Sequence, residues 1–291
     1  MPLDQPEPET TTSRKSSARP EDGEGAQMGF LDHLEELRRR LFYSTVAIFA
    51  VATVLFLQKD WVFDTVLFGP RRLDFIAYRA WCSLSHLVGA GDAFCVKEIG
   101  YELINTTMMG NFTTHIMVSL IGGFVLAFPV VAGQIWFFIR PALKTRERQA
   151  ARGIGLATSG LFFAGVLFGY YIIVPFSLQF LGNYELGDVA SRISVSSYMK
   201  TVVSIVVAAG LVFQLPIAVY FLSRIGLVTP ELLRKYRKHA VVAILIVAAI
   251  ITPPDVTSQI LVSIPVLLLY EVSIFISRRV AQQAAANTQV P

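Results

Sequence analysis

The stretch IMVSLIGGFVLAFPVVAGQIWFF, residues 116–138, decides the fold of this chain. None of its 23 side chains is charged at neutral pH. An α-helix rises about 1.5 Å per residue, so a run of this length crosses the roughly 30 Å hydrocarbon core of a bilayer. We therefore predict a transmembrane helix here.

Five more apolar stretches accompany this one, and the predicted spans are residues 41–57, 116–138, 154–174, 202–222, 240–251 and 260–276. The chain is 54% hydrophobic and 16% charged, with a mean hydropathy of +0.55, which excludes an ordinary soluble domain. The predicted fold is an all-α, polytopic membrane protein with six transmembrane helices, of which the fifth and sixth are short. The fifth stretch is only about 18 Å long, so we expect it to thin the bilayer or to pack inside the bundle.

Lysine and arginine concentrate in alternate connections between the spans. They are Arg38, Arg39 and Arg40 before the first span, Arg140, Lys144, Arg146, Arg148 and Arg152 after the second, Arg224, Arg234, Lys235, Arg237 and Lys238 after the fourth, and Arg278 and Arg279 after the sixth. The positive-inside rule predicts that these connections and both termini are cytoplasmic. The long outer loop, residues 58–115, has balanced charges, so the net charge of +4 reflects topology and not a nucleic-acid surface.

The membrane core is predicted to cover residues 28–280. Residues 1–27 are rich in Pro, Ser, Thr and Glu and are predicted to be a disordered cytoplasmic tail, and residues 281–291 a short cytoplasmic tail. Both cysteines, Cys82 and Cys95, lie in the outer loop, where an oxidising compartment would permit a disulfide. Two unpaired, small apolar side chains are the alternative, and the sequence leaves both open.

The segment GFLDHLEELRRRL, residues 29–41, combines an apolar stripe with carboxylates. Its leucines recur at helical spacing, so we predict a helix with one apolar face. In the simplest interpretation, Glu36 pairs with Arg40 one turn later. Such a pair at a surface is worth only about 0.3–0.5 kcal/mol.

Five blocks of the sequence stand out, HLEELRRRL at residues 33–41, FPVVAGQIWFFIRPALKTRER at 128–148, FQLPI at 213–217, TPELLRKYRK at 229–238 and TPPDVTSQ at 252–259. Together they resemble the TatC family, the multispanning receptor of the twin-arginine translocase. The blocks follow the family's order, and the predicted topology, six spans with both ends inside, is also the family's. A match of this extent is far more specific than one short motif.

The resemblance implies that Glu36 and Glu147 recognise the paired arginines of a substrate's signal peptide. Carboxylates suit this task because they accept bidentate, charge-assisted hydrogen bonds from guanidinium groups, which lysine cannot reproduce. For Glu147 the alternative is neutralisation by an adjacent arginine, Arg146 or Arg148. The supporting rim implied by the resemblance is Arg38, Phe138, Leu143 and Arg148.

A second implied site lies inside the membrane, at Gln214 and Pro216, where the family docks small single-span partner subunits of the TatA/TatB type. Many family members have Glu at the position of Gln214, so this chain lacks a charge there. The alternative is that Gln214 forms a hydrogen bond within its own bundle.

On the outer face, the resemblance points to Pro70, Asp255 and Gln259 as functional candidates. Capping of the sixth helix by Asp255 explains that residue equally well. Residues 74–97 look like an insertion relative to shorter family members, and the sequence predicts no task for them.

Catalytic, metal and cofactor sites are not predicted. The four histidines are scattered, no Cys or His pair has convincing zinc spacing, and no glycine-rich phosphate loop precedes a helix. The resemblance therefore implies a non-enzymatic core receptor subunit of the twin-arginine translocation system, which exports folded proteins with the proton motive force. It also implies a bacterial plasma (inner) membrane location, contact with lipid, and a homo-oligomer within a hetero-complex. The alternative, a small-solute secondary transporter, would predict broken helices with mid-membrane polar groups in corresponding halves, and the sequence shows no such repeat.

Overall fold

The computed structural model describes residues 30–87, 89, 91, 92, 95, 100–139, 151–184, 192–252 and 256–288. The predicted N-terminal tail and four predicted site residues lie outside the described residues. Those four are Leu143, Glu147, Arg148 and Asp255.

Helices dominate the described chain. The α-helices are α1 (Phe30–Leu57), α2 (Ile76–Leu87), α3 (Gly110–Ile139), α4 (Ala151–Phe168), α5 (Val174–Gly182), α6 (Val195–Val212), α7 (Leu215–Arg224), α8 (Pro230–Lys235), α9 (Arg237–Ile251) and α10 (Val256–Thr288). The described chain also contains two π-helices, Trp61–Leu67 and Gly169–Ile173, and one 3₁₀-helix, Gly69–Arg71. Two three-residue strands, β1 (Glu102–Ile104) and β2 (Arg192–Ser194), pair in parallel with Leu103 opposite Ile193, a small departure from the predicted all-α fold.

The predicted spans correspond to α1, α3, α4 with α5, α6 with α7, α9 and α10. In the described part of the chain, five helical segments are long and apolar enough to cross a membrane. The predicted fifth span is α9, whose 15 residues extend about 22 Å. It is the short one, as predicted.

The sixth helix is longer than predicted. α10 has 33 residues, and its apolar part covers residues 258–283. The helix continues past the predicted span, which ends at residue 276, because Arg278, Arg279 and the following alanines and glutamines are good helix formers. Long basic side chains also reach the headgroups while their stems stay in apolar surroundings.

The fourth span is broken in its middle. α6 ends at Val212 and α7 begins at Leu215, with Phe213 and Gln214 in a turn between them. Pro216 causes the break because it lacks an N–H group and its ring would clash with the carbonyl group of Val212.

α6 forms the centre of the bundle. Four of its side chains are at most 1% exposed, namely those of Tyr198, Met199, Val202 and Ile205. α4 packs closely on α6, since a Cβ atom built on Gly165 would lie 2.6 Å from the carbonyl oxygen of Ala209. Glycine thus permits the close backbone approach that membrane helices use in place of a hydrophobic driving force.

Tyrosine hydroxyls bind the π-helix and the 3₁₀-helix that follow the first span. Tyr78 donates to the carbonyl oxygen of Pro70 over 2.8 Å, Tyr198 donates to that of Leu67 over 2.9 Å, and Tyr170 donates to that of Val66. Burial raises the pKa of the Tyr78 phenol, which keeps its proton available for this bond. Three tyrosines therefore satisfy carbonyl groups that an irregular helix end leaves without helical partners.

The described part of residues 74–97 contains a helix and a disulfide. Its α2 carries Cys82, which forms a disulfide with Cys95. Phe75, just before α2, stacks on Tyr171 of the third span with ring centroids 5.6 Å apart. Trp81 of α2 likewise contacts Phe176, so α2 packs on the third span.

Candidate functional site

Glu36 lies in the first third of α1 and is nearly buried, with 12% of its side chain exposed. Its Oε1 atom accepts a hydrogen bond from Nη2 of Arg40 over 3.1 Å, which is the i,i+4 pair that the sequence offered as the simplest interpretation. Its Oε2 atom is buried, and no hydrogen-bond partner for it exists among the described residues. One oxygen of this carboxylate is thus held while the other has an unused acceptor capacity.

Arg40 connects Glu36 to the second span. Its Nη1 atom donates to Oε1 of Gln134 over 3.2 Å, and its guanidinium carbon lies 5.2 Å from the ring centroid of Phe137. α1 and α3 also pack closely, because a Cβ atom built on Gly123 would lie 2.8 Å from Cβ of Ala52. These contacts place Glu36 beside the end of α3, from which residues 140–150 continue.

The structure places the residues of the implied rim in different surroundings. Phe138 lies at the end of α3, on the same part of the bundle as Arg40 and Phe137. Arg38 is 84% exposed and lies 3.9 Å from Glu35, so it points into solvent and does not contact the Glu36 pair. Glu147, Leu143 and Arg148 belong to the segment outside the described residues.

Gln214 lies at the break of the fourth span. Its Nε2 atom donates to the carbonyl oxygen of Thr158 in α4 over 3.2 Å, so the bundle satisfies one end of the amide. Its Oε1 atom is buried and has no partner within the described part of the chain. Pro216 is fully buried at the start of α7. The intramolecular alternative is observed for the amide nitrogen, and the amide oxygen is left as an acceptor.

The other implied residues make local contacts. The carbonyl group of buried Pro70 accepts the hydrogen bond of Tyr78, and Nε2 of Gln259 donates to the carbonyl oxygen of Leu245 over 3.2 Å. Gln259 thereby ties α10 to α9 across their short connection. Asp255, in that connection, lies outside the described residues.

A model of the family "Sec-independent protein translocase protein (TatC)" matches residues 32–265 of this chain. The Sec-independent protein translocase protein TatC of Blattabacterium sp. subsp. Periplaneta americana is 38% identical over 259 residues, covering 88% of this chain and 97% of that protein. The corresponding protein of Aquifex aeolicus is 34% identical over 253 residues, covering 86% and 95%. The chain belongs to the TatC family.

Solved TatC structures agree with the fold. A crystal structure of the twin arginine translocase receptor TatC in DDM aligns with a TM-score of 0.66 and 35% identity, over 84% of this chain and 99% of that one. A further crystal structure of this receptor aligns with a TM-score of 0.62. The chain is therefore a multi-pass membrane protein of a protein translocase family, which is not a family of enzymes.

Sequence reasoning missed the ion pair that joins the fifth and sixth spans of this TatC chain. Arg237, at the start of α9, forms a salt bridge with Glu271 inside the apolar part of α10. Tyr270 also donates to the carbonyl oxygen of Leu233 in α8 over 2.7 Å. The sequence contained a signal for this pair. Glu271 lies within an apolar span, where a carboxylate is costly unless it is paired. The pair and the tyrosine bond fasten α8 and α9 to the sixth span.

Proposed function

We propose that this TatC-family chain is the core receptor subunit of a twin-arginine translocation system. In this proposal it binds twin-arginine signal peptides of folded proteins at its cytoplasmic face. It then recruits single-span partner subunits, and export is driven by the proton motive force across the bacterial plasma membrane. Both chain termini lie in the cytoplasm.

The main support for this proposal is the buried Oε2 atom of Glu36, which lacks a hydrogen-bond partner among the described residues. Buried carboxylates usually have all their acceptor capacity satisfied, because an unsatisfied buried polar group costs about 1–3 kcal/mol. Glu36 keeps Oε2 without a partner among the described side chains and backbone groups, although it lies in a segment with three consecutive arginines. An incoming guanidinium group would satisfy this oxygen.

The position of Glu36 also supports two-point recognition. The hydrogen bond between Arg40 and Gln134 fixes the carboxylate next to the end of α3. Glu147 follows only eight residues after Ile139, the last residue of α3, so the connecting chain is short enough to bring a second carboxylate near. Two carboxylates brought together in this way would match two adjacent arginines of a peptide.

Binding of a twin-arginine signal peptide, compared with its twin-lysine version, tests the receptor function in purified protein. We expect tighter binding of the arginine peptide, and we expect Glu36→Gln and Glu147→Gln each to weaken it. Loss of one charge-assisted hydrogen bond costs about 1.5–3 kcal/mol, which corresponds to about a 10- to 100-fold increase in Kd. Affinity for the lysine peptide should change much less.

Glu35→Gln is the matched control, because Glu35 adjoins Glu36 but is 75% exposed. It removes the same charge and should leave the preference for arginine intact. Equal binding of both peptides, unchanged by all three substitutions, would show that the glutamates are structural and would refute this receptor mechanism.

The partner subunits would dock at the broken fourth span. The buried Oε1 atom of Gln214 is an acceptor for a donor on a neighbouring transmembrane helix, since polar groups in lipid pair across helices. The break that Pro216 introduces interrupts the regular backbone at the same level. A secondary transporter would place such breaks in corresponding halves of its fold, and membership in a protein translocase family does not favour that alternative.

A further inference from the structure

The insertion brings a histidine and a carboxylate next to the Cys82–Cys95 disulfide. Nε2 of His86 lies 3.9 Å from Sγ of Cys95 and 3.4 Å from Oδ1 of Asp92. We propose that, once the disulfide is reduced, Cys82, His86, Asp92 and Cys95 form a binding site for Zn²⁺. This site lies away from Glu36 and Gln214, and the inference does not depend on the proposed receptor function.

The distances suit a tetrahedral zinc site. One ligand atom each from Cys82, His86 and Cys95 lies within 4.8 Å of the other two. Zinc binds sulfur at about 2.3 Å and nitrogen or oxygen at about 2.0–2.1 Å, so ligands in a tetrahedron lie about 3.6 Å apart for sulfur and nitrogen and about 3.3 Å for nitrogen and oxygen. The two separations measured from His86 are close to these values, and reduction would free the sulfur atoms to separate.

Hydrogen bonds add to the disulfide in holding these ligands together. Cys82 and His86 are four residues apart on α2 and therefore share one face of the helix. Ser85 is fully buried and donates to the carbonyl oxygen of Gly91 over 2.6 Å. The amide of Cys95 donates to the carbonyl oxygen of Asp92 over 3.0 Å, which fixes the last two ligands relative to each other.

Two glycines make this loop geometry accessible. Gly89 has a φ of 74° and Gly91 a φ of 58°, the left-handed region that other residues rarely adopt. The amide of Gly89 donates to the carbonyl oxygen of His86 over 3.2 Å. The chain therefore leaves α2 and returns at once, which brings Asp92 and Cys95 back to His86.

Zinc binding and the disulfide exclude each other, because each needs both sulfur atoms. A dithiol reductant would supply two electrons and two protons, break the S–S bond, and itself become a disulfide. Zn²⁺ would then displace the two thiol protons and form two Zn–S bonds, with imidazole and carboxylate as the remaining ligands. His86 and Asp92 are 58% and 55% exposed, so a metal ion can reach the site from solvent.

Metal binding to the full-length purified protein tests this inference. The protein is reduced with a phosphine, which does not leave a competing thiol, and is then titrated with Zn²⁺ against a chromophoric chelator. Co²⁺ serves as a spectroscopic probe of tetrahedral thiolate coordination. We expect about one metal ion per reduced chain and no binding of this kind in the disulfide form.

Cys82→Ser should markedly weaken the thiolate-to-cobalt absorption, since Cys95 alone remains as a thiolate ligand. His86→Ala leaves the disulfide able to form, which reports on folding, and should weaken metal binding at least about tenfold. His239→Ala is the matched control and should bind like the unchanged protein, because His239 lies on α9. Absence of metal from the reduced protein, or equal binding by the disulfide form or by Cys82→Ser, would overturn the proposal.

Discussion

At the scale of single residues, both implied binding sites have the same construction. Glu36 and Gln214 each have one side-chain atom fixed by the bundle and a second, buried atom left as an acceptor. The fixed atom sets the direction of the side chain, and the other can receive a donor from a partner molecule. Preorganisation of this kind lowers the entropy that binding would otherwise cost.

Substitution of Gln214 tests this construction inside the membrane. Gln214→Leu removes the acceptor, and we expect less single-span partner subunit to co-purify with the chain from the host membrane. Gln214→Glu keeps an acceptor and should retain the partner. Ser204→Leu, at an exposed position of the same span, is the control that alters the surface without altering the site. Equal recovery of partner with Gln214→Leu and with the unchanged chain would rule out a docking role for the amide.

At the scale of elements, the contact between α4 and α6 leaves no room for a larger residue at Gly165. A Cβ atom on Gly165 would lie 2.6 Å from the Ala209 carbonyl oxygen and 2.8 Å from Cβ of Phe213. Gly165→Ala must push the third and fourth spans apart, and overpacking of this kind costs about 1–3 kcal/mol. We expect a lower midpoint of thermal unfolding in detergent.

Gly160→Ala, on the same helix, is the matched control. A Cβ atom there meets no described atom within 4 Å, so the substitution should be neutral or slightly stabilising, since alanine is the better helix former. A Gly165→Ala protein as stable as the Gly160→Ala protein would mean that the spans do not pack as closely as described.

The positions of the spans were predictable, and the contacts that connect them were not. Hydropathy located each span, because the bilayer demands long apolar runs. It could not reveal that Tyr170 and Tyr198 bind the π-helix after the first span, since their partners Val66 and Leu67 lie more than 100 residues away in the sequence. Likewise, Glu36 keeps a free acceptor because Arg40 donates its second hydrogen bond to Gln134. Gln134 is 94 residues away in the sequence, so no local pattern predicts this bond.

At the scale of the whole molecule, α9 decides the topology. Five segments in the described chain meet the length of a span, and α9 is shorter. If α9 crosses, the chain has an even number of spans and both termini share one side of the membrane. The basic clusters next to the spans predict that this side is the cytoplasm.

Topology reporters test this arrangement. A phosphatase that is active only outside the cytoplasm should be inactive when it is fused to either terminus and active when it is inserted at Gly89. A fluorescent protein that folds only in the cytoplasm should give the reverse pattern. Opposite results at the two termini would show that α9 does not cross.

The length of α9 also has an electrical consequence. A membrane potential does about 2.3 kcal/mol of work per elementary charge per 100 mV, whatever the thickness it acts across. Where the bilayer thins from about 30 Å to the roughly 22 Å that the 15 residues of α9 can span, the same voltage falls over a shorter path. If the bilayer thins in this way, the local field is about one third steeper, and a charged segment passing beside α9 would experience a correspondingly larger force.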